Sequence, residues 1–279
     1  MRTKLQAVQE IMRRVGKLPA DELDTDGVSV ASHVERALDD ASLSIQNEGW
    51  WWNTKYNVEV TQDANKKIEV GRLEQETALS ISGASQASPC VLTVGTTDGL
   101  QSNSRVFVDG VVGMSELNGR YHRVKKVISA TQFSIDEDST SHTSYIASGT
   151  ATPLRTIYHV DTDREDSATQ VTRTGDFLFD LNENVDTFDS DLKLRYVYDK
   201  PWAQIPDAYQ VWIISIAALN FNRNYIGNAG RDSVLQQEVM DSKRQAFRDE
   251  IRSSDVNLLD TAEMRQVRGR PRMPDRRIY

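Results

Sequence analysis

DAYQVWIISIAALNFNRNY, residues 207–225, decides the architecture. Pro206-Asp207 opens it, and Val211, Trp212, Ile213, Ile214, Ile216, Ala217, Ala218, Leu219 and Phe221 then surround a helical axis instead of striping one side. A helix that is apolar on most sides has to be buried between layers or subunits, because each face left in water forfeits its transfer free energy. Its most apolar run, Val211–Leu219, is far too short to cross a bilayer, so no membrane partner is expected.

Three amphipathic segments can surround this helix. Leu5, Val8, Ile11, Met12 and Val15 recur at three- and four-residue steps, with Gly16 placed to end the helix. Val30, Val34, Ala37, Leu38, Ala41 and Ile45 form a second stripe, capped by Ser29 or Asp26 and ending near Asn47–Gly49. The turn-rich LPADELDTDGVS between them predicts an antiparallel hairpin. After Gly227 and Gly230, Asp232 or Ser233 starts Val234–Arg252, whose stripe is Leu235, Val239 and Ala246, with Met240, Phe247 and Ile251 alongside.

The middle of the chain is β. Trp50, Trp51 and Trp52 precede Tyr56, Val58 and Val60, which alternate with polar residues as in a half-buried strand. Three adjacent tryptophans cannot share one strand face, so at least one is expected to reach a second layer or a partner. TIYHV, GDFLFDLN and LKLRYVYD read as later strands, the last with Leu192, Leu194, Tyr196 and Tyr198 on one face. Between Arg72 and Thr152 the composition shifts: seven of the fifteen glycines fall there and none of the five tryptophans. Alternating runs at Cys90–Val94, Arg105–Val108, Tyr121–Val127 and Gln132–Ile135 are separated by Asp98-Gly99, Asp109-Gly110 and Asn118-Gly119 turns. This is the pattern of a small inserted β module, whose borders SISGASQAS, DSTSHTS and ASGTAT read as linkers. The expected fold is α+β: a bundle of about four helices plus an antiparallel β region, with an inserted barrel- or sandwich-like all-β module. The expected division is 1–71 and 153–260 for the two halves of the main domain, 72–152 for the insert and 261–279 for a basic tail.

Charge sharpens that division. Thirty-three basic against forty-one acidic residues give −8, which argues against a protein that coats nucleic acid. The tail from Thr261 to Tyr279 holds six arginines against Glu263 and Asp275, so it carries +4 and the remainder −12. One cysteine, Cys90, excludes an internal disulfide and any multi-cysteine zinc site. MRTKLQAVQEIMRRVGKLPA lacks the apolar core of a secretory signal, so a soluble protein of a reducing compartment is expected.

Chemistry is sparse. His33, His122, His142 and His159 include no pair at helical metal-ligand spacing, and His33 lies off its helix's stripe as a solvated or capping residue. Cys90 reads as a buried small hydrophobe. There is no Walker motif and no glycine-rich loop opening a helix. Glu183, Asp186, Asp189 and Asp191 near Phe188 read as a solvated acidic turn. Asp161, Asp163, Glu165 and Asp166 match a calcium loop only in sign. No catalytic residue, metal or cofactor is therefore assigned, and the protein is not expected to be an enzyme.

Several strings, in order, resemble tail tubular protein A of short-tailed bacteriophages. They are Gly49-Trp50-x-x-Asn53 at a helix end, Phe221-Asn222-x-x-Tyr225-x-Gly227, Val234-Leu235-Gln236-x-Glu238 and Asn257-Leu258-Leu259-Asp260. The resemblance covers about residues 3–70 and 153–260. The insert lies outside it and resembles small β modules of phage tail proteins and, more distantly, the β half-domain of ubiquitin-activating enzymes, without carrying ubiquitin chemistry. The resemblance implies a virion structural protein, a head-to-tail adaptor assembled in the host cytoplasm. Twelve copies would form a ring between portal protein and a tail nozzle of the tail tubular protein B type, with tail fibre a further candidate neighbour. Double-stranded DNA would pass through without specific binding, as an acidic body suits. Arg265, Arg268, Arg270, Arg272, Arg276, Arg277 and Tyr279 are the expected partner contacts. Trp50, Trp51 and Trp52 are expected to join the halves of the main domain or reach a neighbouring subunit. The alternative is a tail-associated glycan-binding or glycan-hydrolysing protein, for which the insert offers the aromatics Phe107, Tyr121, Phe133 and Tyr145.

Overall fold

A computed structural model describes residues 2–21, 29–97, 99–100, 102–163 and 169–253. Four α-helices form a bundle: α1 (Lys4–Arg14), α2 (Val30–Gln46), α3 (Asp207–Phe221) and α4 (Ala229–Ser253). Thr3 and Gln6 close a reciprocal capping box on α1, and the Ser29 hydroxyl accepts the Ser32 amide at the start of α2. The other candidate cap, Asp26, lies outside the described residues.

The α3 segment is the bundle's centre. It packs on α1, α2 and α4, and its buried side chains run all round the helix, from Tyr209 through Trp212, Ile213 and Ile214 to Ala217, Ala218 and Phe221. Partners within the same chain therefore supply the covering that its composition demanded. Two of its buried polar side chains are paired: Gln210 Nε2 donates to the Trp202 carbonyl, and Ser215 Oγ accepts from Arg14, whose guanidinium also meets Glu10 and Glu238. The helix stops at Phe221 in a π-turn over Asn222–Ile226, where the Gly227 amide donates to the Asn222 carbonyl from a left-handed backbone.

Two β units follow. In the first, β1 (Thr54–Val60), β11 (Leu192–Tyr198) and β8 (Ile157–Thr162) make an antiparallel sheet in the order β1-β11-β8. A hairpin of β9 (Val171–Thr174) and β10 (Phe177–Asp180) accompanies it, and Ile68, Val70, Leu178, Phe188, Leu194 and Tyr196 form their shared core. A bulge in β1 sets Tyr56 and Asn57 against the single Arg195, with Asn57 at φ +55°. That extra residue breaks the expected alternation: Tyr56 turns outward, 58% exposed, under the Arg195 guanidinium.

The second unit is a closed six-stranded barrel, ordered β2-β3-β6-β5-β4-β7. Its strands are β2 (Leu79–Ala84), β3 (Val91–Val94), β4 (Arg105–Asp109), β5 (Arg120–Ser129), β6 (Gln132–Ile135) and β7 (Thr150–Leu154). Here the linker reading of SISGASQAS and ASGTAT fails, because much of each string is strand, β2 and β7, and those two strands pair to close the barrel. Their inward positions include Ile81 and the small Ala151, as a narrow barrel interior requires, so hydrophobic alternation is faint. Cys90 is fully buried in this core, and burial pushes its thiol pKa up.

Entry and exit of the barrel lie side by side. The Glu76 amide donates to the Pro153 carbonyl at 2.9 Å, the Arg155 amide donates to the Glu74 carbonyl at 2.9 Å, and the Glu76 carboxylate pairs with Arg155. Replacing residues 77–152 by a two-residue Asn-Gly turn should therefore leave the helical bundle folded. Cooperative urea unfolding followed by far-UV circular dichroism checks this, and loss of the transition would show that the barrel is needed for folding.

Candidate functional site

The turn after α2 links the helical bundle to the sheet. Gly49 takes φ +77°, and a Cβ there would lie 2.8 Å from Val197 Cγ2, so only glycine fits. The fully buried Asn53 then ties three segments: Oδ1 accepts the Trp50 amide at 2.7 Å, and Nδ2 donates to the carbonyls of Gln46 at 2.8 Å and Tyr198 at 3.2 Å. One side chain thus ends α2, shapes the turn and holds the edge of β11.

The three tryptophans separate on this turn. Trp50 enters the helical core, where its ring meets Tyr209, Trp212 and Phe247 at centroid distances of 5.2, 5.7 and 5.4 Å and its indole N–H donates to the Ile45 carbonyl. Trp52 packs edge-on to Tyr209 at 5.3 Å in the same core. Both join segments of one chain. Trp51 alone stays exposed, its amide donating to Glu250 of α4, whose other carboxylate oxygen accepts the Tyr209 hydroxyl at 2.6 Å. Burial first, and then this bond to Glu250, pushes the Tyr209 pKa up. The expected contacts Arg265, Arg268, Arg270, Arg272, Arg276, Arg277 and Tyr279 lie outside the described residues.

A second junction holds the barrel against the β9–β10 hairpin. Asp176 receives a bidentate bond from Arg105 of β4 at 2.8 and 3.0 Å and a longer one from Arg173, while its carbonyl accepts the amides of Val70 and Gly71. The hydrogen bond from Arg105 leads the causes that hold the Asp176 carboxyl below the ordinary carboxylate range. Above this clamp Arg72 covers the Phe107 ring at 4.2 Å, and Arg105 covers the Tyr121 ring at 4.6 Å.

These contacts dispose of the insert's aromatics as a sugar platform. Phe133 is core, Tyr145 donates to the Ile81 and Ser148 carbonyls, and the Phe107 and Tyr121 rings pack against each other at a tilt of 59°, each under a guanidinium group. The acidic turn is likewise engaged: Asp186 meets Lys67 and Asp189 meets Lys66, while Phe188 is buried. Glu165 and Asp166 lie outside the described residues, and Asp163 accepts the Asn57 amide. No group of three histidine, cysteine, aspartate or glutamate side chains could hold a metal among the described residues. His33 is half-buried and stacks on Tyr225, which stacks in turn on Phe221. No described helix is long and apolar enough to cross a membrane.

Gly49, Trp50, Asn53 and Asn222 of the signature strings serve turns and core packing, whereas Asn257–Asp260 lie outside the described residues, and the comparisons decide the identity. The tail tubular protein model matches residues 5–99 and 132–256. The chain belongs to the tail tubular protein family. It is thus a structural component of a phage tail, located in the virion, and not an enzyme. Residues 87–155 of this tail tubular protein also match the FCCH domain of ubiquitin-activating enzyme E1, a likeness spanning most of the barrel. No curated protein matches the chain significantly. Sequence reasoning missed Glu250, Arg105 and Asp176 as organising residues. Nothing in their local spacing marks these roles, since Glu250 and its partner Tyr209 lie 41 residues apart and Arg105 and Asp176 lie 71 apart.

Two expectations follow for the tail tubular protein. Trp50→Ala should cost about 3–5 kcal/mol through the core cavity it leaves, and Trp51→Ala no more than about 0.5 kcal/mol, as read by urea denaturation. Because the folded Asp176 pKa is lowered, its contribution is present above the unfolded carboxylate value, about 3.9, and is lost as pH falls through the folded value. Hydrogen exchange at Val70 and Gly71 should accelerate over that acid range. In Asp176→Asn it should already be fast at neutral pH, and equal protection in both proteins would remove the clamp.

Proposed function

We propose that this tail tubular protein is the head-to-tail adaptor of a short-tailed phage. Copies of the chain form a ring, twelve by the family resemblance, between the portal protein and the tail nozzle, assembled in the host cytoplasm. DNA leaves the capsid through the ring without being gripped. The observation that carries this reading is the family match on both sides of the barrel. The charge balance supports it: outside the Arg-rich tail the sequence carries −12, which lowers affinity for a phosphate backbone passing nearby.

Within this reading the main domain is formed by 1–71 and 153–260, and the 72–152 module decorates the ring's wall, facing nozzle, fibre or the neighbouring copy. Arg265, Arg268, Arg270, Arg272, Arg276, Arg277 and Tyr279 dock the 261–279 tail into an acidic groove on the portal, with arginine as the bidentate donor. Trp51 is the tryptophan available to a neighbour; Trp50 and Trp52 serve the domain's own core.

Mixing the purified chain with portal rings and imaging the product tests the adaptor role. Rings capped by density at one end are expected, and absence of association at every salt concentration would count decisively against it. The chain truncated after Asp260 should keep the unfolding midpoint of the full protein and fail to cap portal rings. Normal capping by the truncated chain would remove the tail from the contact.

A further inference from the structure

α4 carries two apolar faces. Leu235, Ser242 and Ala246 are buried against the bundle. Met240, Phe247 and Ile251 recur at i, i+7 and i+11, roughly 140° further round a helix of 3.6 residues per turn, and remain 49, 41 and 66% exposed, with one side of the Phe247 ring turned back onto Trp50 and Trp212. Lys243 borders this second face and leans over the Phe247 ring. Among the described residues Lys243 has no carboxylate within ion-pair reach.

A matching feature lies on α2. Leu43 is 53% exposed, with Asp39 and Asp40 one turn before it on the same face. Lys4 already pairs with Asp39, whereas Asp40 is exposed and has no cation within ion-pair reach among the described residues. α2 and α4 each pack extensively on α3 and hardly on one another, so the two faces belong to different sides of the bundle. Among the described residues, one face is apolar with a cation that meets no carboxylate, and the other is apolar with a carboxylate that meets no cation.

We propose that these two faces form one heterologous contact between copies of the chain, the second face of α4 on one subunit seated against the Leu43 face of α2 on the next. This deepens the ring reading above and rests on it. Met240 and Ile251 would cover Leu43, and Lys243 would meet Asp40 of the neighbour. An interface joining two different patches of the same molecule propagates in one direction and closes into a ring when the rotation allows, which a self-complementary patch does not do. Charge complementarity of this kind selects the partner face and the register more than it adds raw affinity.

The test uses the full chain carrying L43C and I251C together, and each alone, joined by a short bis-maleimide with and without portal rings. The native Cys90 is fully buried and stays unreactive in the folded protein. The double variant should give a ladder of multimers, and neither single variant should give more than monomer. Dimers from a single variant would show an isologous contact and overturn the proposal. Rings seen by native mass spectrometry without a ladder would overturn this contact while leaving the ring intact. Absence of any multimer, alone or on portal rings, would sink both readings. In parallel, D40K and K243E should each raise the concentration needed for half-assembly about tenfold or more by placing like charges together, and the double exchange should recover most of it. Unchanged assembly by both single variants would remove this charge pair and the contact with it. Unchanged thermal unfolding of each variant separates an assembly defect from a folding defect, as expected for exposed positions.

Discussion

The turn from Gly49 to Asn53 is the constraint on which the rest of the structure depends. Helices and sheet each bury their own apolar faces, but neither fixes how the other sits. The fully buried Asn53 does so with three hydrogen bonds, to the end of α2, to the turn and to β11. A buried amide left unpaired costs about 1–3 kcal/mol, so the three partners are held in one geometry. The glycine conformation at 49 then delivers Trp50 into the bundle and leaves Trp51 outside. The same five residues set the layer packing and decide which aromatic ring a neighbour can reach.

The barrel is attached by a different logic. Its two ends are zipped together by backbone bonds at Glu74–Glu76 and Pro153–Arg155, so the main chain treats it as a long excursion between adjacent points. Orientation comes from Asp176, whose carboxylate grips Arg105 of the barrel while its carbonyl holds Val70 and Gly71. A bidentate carboxylate–guanidinium pair restrains angle as well as distance. The nearby arginines spread over Phe107 and Tyr121 extend that restraint across a broader, partly apolar contact.

Helices were readable because their signal is long-range and redundant. The all-round hydrophobicity of α3 and the stripes of α1, α2 and α4 survive individual exceptions. Strands inside the barrel were readable where β-branched residues alternate, as in β4 and β5, but β2 and β7 were hidden. A small barrel admits few bulky inward side chains, and its outward positions there are serine, threonine and glycine, the same composition as a linker. The bulge at Tyr56 and Asn57 was equally invisible, because its cause is a register choice made against β11. The signature strings around Trp50 and Asn222 were visible as strings; only the structure shows that they are helix-ending and chain-turning devices.

How α3 spends its surface bears on how such a chain assembles. Had α3 left a broad apolar face open, copies would associate through a core-like interface, and an isolated subunit would be poorly soluble. Instead α3 is covered from within, and the apolar groups left outside the bundle are dispersed along α2 and α4 among charges. Interfaces of that mixed kind are typical of partners that exist apart before they meet. A subunit built this way depends on geometry to accumulate affinity: one contact is modest, whereas a closed ring lets each copy engage both of its faces at once. The closed arrangement is then favoured over short open chains, which leave one face of each kind in water.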